Sequence, residues 1–103
     1  MSMDRKTHIF EVFEMHRQDL LDIGVKAIGI FGSVVRGDDS AESDCDILVE
    51  FEEQHRTFKN FNRLCDFIEE YVTEDYDLVT RQGLSPYLGN KILEEVEYAQ
   101  IAS

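Results

Sequence analysis

The sequence predicts an α/β (α+β) fold, a small mixed β-sheet of three or more strands packed against helices. Three observations predict it. The apolar run over residues 25–31 stops at Gly32-Ser33 in front of a short helical turn, so strand, turn and helix start follow one another. Two β-branched-rich segments, 47–49 and 76–80, have the length and composition of strands. Between them, Phe58, Phe61, Leu64, Cys65, Ile68, Tyr71 and Val72 recur at helical spacing.

Taken in order, residues 4–22 carry Ile9, Val12, Phe13, Leu20 and Leu21 near helical spacing, which predicts one helix packed on the sheet and stopped by Gly24. His8 and His16 lie on this helix without a visible catalytic partner and are expected at the surface. The strand over residues 25–31 comes next. Ser33 is suited to cap the helical turn 34–36, whose unpaired N–H groups and partial positive charge can hold phosphate oxygens. Gly32 lets the backbone approach closely, and Arg36, one turn on, can reach a phosphate or pair with Asp38 or Asp39.

The acidic loop 38–42 should be solvated, and Asp44-Cys45-Asp46 leads into the second strand. Alternation along a strand turns Asp44 and Asp46 to one face and Cys45 to the other. Two carboxylates side by side repel unless they share a proton or a cation, and a hard divalent ion such as Mg²⁺ binds such pairs together with substrate phosphates. A charged turn over 52–56 precedes the periodic helix, which Thr57 can cap and whose aromatic stripe reads as core. The third strand, 76–80, follows. Ser85-Pro86 then opens a last helix with Leu88, Ile92 and Val96 on one face.

A chain of 103 residues can build one hydrophobic core, so residues 1–103 are expected to form a single domain. A 43% hydrophobic content argues against disorder, and with no long apolar run or basic-then-apolar leader the expectation is a soluble, cytoplasmic protein. Cys45 and Cys65 lack metal-ligand spacing and are expected as buried, reduced thiols. Ten Lys and Arg against 22 Asp and Glu give a formal charge of −12, which opposes direct nucleic-acid binding. This acidity suits a basic protein partner or a nucleotide delivered as its Mg²⁺ complex, and it equally suits solubility alone.

Gly32-Ser33, two residues, Arg36-Gly37, five residues, then Ser43-Asp44-Cys45-Asp46 resembles the signature of the nucleotidyltransferase superfamily that includes DNA polymerase beta, in its minimal (MNT) branch. Seven identities at fixed spacing carry the likeness, and only Cys45, between the aspartates, departs from the usual apolar residue. The resemblance implies the minimal nucleotidyltransferase fold, ATP as substrate, and Asp44 and Asp46 holding Mg²⁺. It also implies a third carboxylate on the strand 76–80, for which Asp77 is the candidate and Asp75, of the same parity but at the strand edge, the alternative. Gly32, Ser33 and Arg36 would bind the nucleotide phosphates.

Residues 77–98 further resemble the C-terminal end of small MNT proteins encoded beside HEPN-domain toxins. That likeness implies an antitoxin that transfers AMP from ATP to a tyrosine hydroxyl of a cognate HEPN ribonuclease toxin and so neutralises it. The alternatives are an antitoxin that acts by binding alone, or a small-molecule or RNA nucleotidyltransferase. The last of these would call for an acceptor-binding extension or a basic groove, and the sequence shows neither.

Overall fold

The computed structural model describes residues 4–37, 43–87 and 89–101. In chain order its elements are α1 (Arg5–Met15), α2 (Arg17–Ile23), β1 (Val25–Phe31), α3 (Ser33–Arg36), β2 (Cys45–Phe51), α4 (Phe58–Tyr71), β3 (Tyr76–Thr80), α5 (Gly89–Glu95) and β4 (Glu97–Tyr98). The strands form one mixed sheet in the order β3-β2-β1-β4. β1 runs antiparallel to both of its neighbours, whereas β2 and β3 are parallel because α4 returns the chain between them.

The main core lies on one face of this sheet. Cys45, Ile47 and Val49 of β2 alternate inward with Ile28 and Ile30 of β1, and meet Ile9 and Phe13 of α1, Leu20 of α2, and Leu64 and Ile68 of α4. On β2 the opposite parity belongs to Asp46, Leu48 and Glu50. Leu48 is buried there, outside the main cluster, so this second face is covered in part, with Asp46 and Glu50 on either side of Leu48.

Several sequence expectations need correction. The helix expected over 4–22 is two helices: Asp4 caps α1 by accepting from the Thr7 N–H at 2.8 Å, α1 ends at Met15, and α2 begins at Arg17. At the joint His16 is half-buried, stacked on Tyr71 with ring centroids 4.0 Å apart, so it is not the surface residue expected. Leu21 is exposed. Gly24 does stop α2, in a left-handed conformation at φ 96°.

Thr57 caps α4 as expected, accepting from the Asn60 N–H at 3.1 Å. Phe58, however, is 80% exposed. At 100° per residue it lies about 120° around the helix from Leu64, off the buried stripe.

The C-terminal region also differs. Pro86 and Tyr87 form a turn, the last helix is described from Gly89, and Leu88 and the loop 38–42 lie outside the described residues. The Ser85 carbonyl accepts the Gly89 N–H at 2.8 Å. Val96 lies just beyond α5 and packs over Gly29, where a Cβ would meet it at 2.8 Å. Both cysteines are free thiols, Cys45 buried and Cys65 half-buried. Among the described residues no helix is long and apolar enough to cross a membrane.

Candidate active site

The site begins where β1 ends. Gly32, at φ 79° and ψ −153°, occupies a region of backbone space that is open essentially to glycine, and it turns the chain out of the sheet into α3. Gly32 is therefore the N-cap, and Ser33, expected as the cap, is the first helical residue; no side chain caps this helix. α3 is a single turn, closed by Arg36 N–H to Gly32 C=O at 3.1 Å and Gly37 N–H to Ser33 C=O at 2.9 Å.

The second part is built by strand register. Phe31 pairs with Asp46 across the antiparallel β1–β2 ladder, and Asp46 pairs with Asp77 across the parallel β2–β3 ladder. Directly paired residues share a face of the sheet, so Asp46 and Asp77 stand side by side next to the Gly32 turn. The approach is close: a Cβ on Gly32 would collide with the Asp46 carboxylate. Asp44 precedes β2 rather than lying in it, and is exposed.

Burial raises the Asp46 carboxyl above the usual carboxylate range, and the charges of Asp77, Asp44 and, more weakly, Glu95 push the same way against Arg36. Asp75 is not among these influences. It sits before β3, where its carbonyl accepts the Cys45 N–H at 3.0 Å and pins the start of the β2–β3 pairing. Of the two candidate carboxylates, Asp77 is thus the one held beside Asp46.

This donor set suits a hard divalent cation, because a cation relieves the repulsion that Asp77 and Asp44 exert on the Asp46 carboxylate. Among the described residues no three His, Cys, Asp or Glu side chains are already closed around a common point. Mg²⁺ does not require such a cage, since it is commonly held by one or two carboxylates together with substrate phosphates and water.

Glu95, at the end of α5, is a site residue that sequence reasoning missed. Its Oε1 accepts the Gly32 N–H at 2.8 Å and the Arg36 Nη1 at 2.7 Å. Arg36 thus has a partner in Glu95, 59 positions away. No local spacing could have signalled this contact, which exists only because β4 docks beside β1. A further long-range tie holds the approach to Asp44: Arg5 donates to Glu74 at 2.6 Å and to the Ser43 carbonyl at 2.7 Å.

Residues 13–99 match the model of the nucleotidyltransferase domain. The chain belongs to the nucleotidyltransferase family. The protein adenylyltransferase MntA of Thermococcus cleftensis is 36% identical over 99 residues, spanning 95% of this chain and 99% of its own. MJ1379 of Methanocaldococcus jannaschii, which also carries a protein adenylyltransferase name, is 34% identical over 99 residues, spanning 93% and 99%.

Within the nucleotidyltransferase family the fold is the minimal one. The solved structure of a minimal nucleotidyltransferase superposes with a TM-score of 0.76 at 34% identity, covering 92% of this chain and 95% of that one. The crystal structure of a toxin–antitoxin complex with AMP-PNP shares the fold at a TM-score of 0.56 and 21% identity, over 90% of this chain and 70% of that one.

Proposed function

We propose that this nucleotidyltransferase is an antitoxin that transfers AMP from ATP to a tyrosine hydroxyl of a cognate HEPN ribonuclease toxin and thereby silences it. The observation that carries this reading is the register of Asp46 against Asp77 beside the Gly32 turn. It occurs in a chain matched along 95% of its length by a protein adenylyltransferase. That a fold relative was crystallised as a toxin–antitoxin complex with AMP-PNP favours a toxin as acceptor.

In the reaction, the acceptor hydroxyl oxygen bonds to the α-phosphorus of ATP while the bond from that phosphorus to the bridging oxygen breaks, and pyrophosphate leaves with the electron pair. Asp44, Asp46 and Asp77 would hold Mg²⁺, which when bound supplies charge stabilisation at the phosphate oxygens. As an alternative to holding the ion, Asp77, on the edge strand β3, would accept the proton of the attacking hydroxyl directly. The Gly32 N–H and the Ser33 hydroxyl would hold the departing phosphates, with Arg36 adding charge-assisted donors.

The test is the intact mass of the HEPN-domain protein encoded beside this gene, after incubation with this protein, ATP and Mg²⁺. A parallel sample uses the Asp44→Ala, Asp46→Ala double variant. A gain of one AMP or a multiple, absent with the variant, is the expected result. No gain, with toxin inhibition by both proteins through a stable complex, would mean that the fold acts as a binding scaffold instead.

A further inference from the structure

Two of the donors assigned above to the nucleotide phosphates, the Gly32 N–H and Arg36, are already engaged. One carboxylate oxygen of Glu95 accepts from the Gly32 N–H and from Arg36 Nη1 at 2.8 and 2.7 Å. Its side chain is 19% exposed against 51% for Arg36, so the anion lies inward and the cation outward. A single anionic oxygen bridging a backbone N–H and a guanidinium is the arrangement that a phosphate oxygen would adopt at the same two donors.

We infer that Glu95 is an internal stand-in for nucleotide phosphate, which keeps the Gly32 turn and Arg36 in place in the nucleotide-free protein and must withdraw before the triphosphate can bind. This inference rests on the nucleotide-binding part of the proposed function. Two anions cannot share one N–H, and a triphosphate entering beside Asp44, Asp46 and Asp77 would gain further repulsion from a retained Glu95. Glu95 is the last residue of α5, and the short link to β4 follows it. Its side chain can therefore swing out while β4 stays paired to β1 through Gly29–Tyr98 and Ile30–Glu97. The latch lowers apparent nucleotide affinity in proportion to the fraction of molecules in which it is closed.

The test measures the affinity of Mg²⁺-ATP and of Mg²⁺-pyrophosphate for the wild type, Glu95→Gln and Glu95→Ala. Glu95→Gln keeps an acceptor without the charge, and Glu95→Ala removes it. The expected result is tighter binding of both probes by both variants, by about fivefold or more. A residue that merely braced the turn, or that helped to hold Mg²⁺, would weaken binding when replaced. Unchanged or weaker binding by both variants would overturn the inference. Should Glu95→Ala fail to fold, Glu95→Gln decides alone. Failure of all three proteins to bind either probe would sink the transferase reading and this one with it. Tighter binding without any AMP transfer to the toxin would sink the transferase reading and leave the latch standing.

Discussion

The Asp46 carboxylate fills the space in which a Cβ on Gly32 would stand. Gly32 is thus constrained twice, by its φ of 79° and by the side chain that the β1–β2 register brings against it. Gly32→Ala should cost about 1–3 kcal/mol of stability through backbone strain, and should lower the transfer rate at least about a hundredfold by displacing Asp46. Thermal unfolding and single-turnover kinetics check the two effects. A variant with near-native rate would show that the carboxylate is free to move aside.

Asp46 is raised by burial and by Asp77 and Asp44, so its ionisation opposes folding of the metal-free protein. For a raised carboxyl, the favourable contribution is full below the unfolded value near 3.8 and is lost as pH rises through the folded value. Asp46→Asn should therefore raise Tm in chelator at pH 7 to 8, by a margin that shrinks as pH falls toward 4, while abolishing transfer. A lower Tm at neutral pH would contradict the crowding.

Asp77 and Asp75 should separate cleanly. Asp77 faces Asp46 across the ladder, whereas Asp75 contributes its carbonyl to Cys45. Asp77→Asn should reduce the transfer rate roughly a thousandfold, and Asp75→Asn less than about tenfold, since in the proposed function only the first removes a metal-holding or proton-accepting group. Equal losses would make Asp75 as strong a candidate as Asp77.

The helix that supports the sheet offers a contrast in stability. Leu64→Ala should cost about 2–5 kcal/mol by opening a cavity, while Phe58→Ser should stay within about 0.5 kcal/mol. Leu64 is fully buried and Phe58 is 80% exposed. Denaturant unfolding of the two variants checks both values.

What was legible in the sequence divides along physical lines. β1 and β3 are read over the residues where they occur because apolar and β-branched runs end at sharp punctuation, Gly32 in one case and the polar stretch after Thr80 in the other. α4 is read because its period is regular and Thr57 caps it, although periodicity alone over-counts the stripe at Phe58. The break at His16 is invisible because neither Gly nor Pro interrupts residues 5–22, and the ring stack with Tyr71 found at the joint is a contact between residues 55 positions apart. β4 has two residues, too few for any alternating pattern.

The candidate site splits in the same way. Gly32, Ser33, Asp44 and Asp46 lie within one local motif, and the register of β3 puts Asp77 beside them. Ser33 reads as the cap because capping preference is a property of side chains, whereas the residue at the cap is Gly32, whose positive φ and closeness to the Asp46 carboxylate leave no room for a side chain. Glu95 reaches the turn from 63 positions away, and only assembly of the sheet reveals it.

The position of β1 in the sheet has a consequence for biosynthesis. Its second edge is supplied by the end of the described chain: β4 pairs with Gly29 and Ile30, the Ala99 N–H bonds to the Ile28 carbonyl at 2.9 Å, and Ile101 is buried in the core. A nascent chain that has released Gly32, Asp46 and Asp77 from the ribosome therefore still lacks one flank of its central strand and the carboxylate that closes the phosphate turn. That flank, and the Glu95 contact to the Gly32 N–H, form only once the chain through residue 101 has been made.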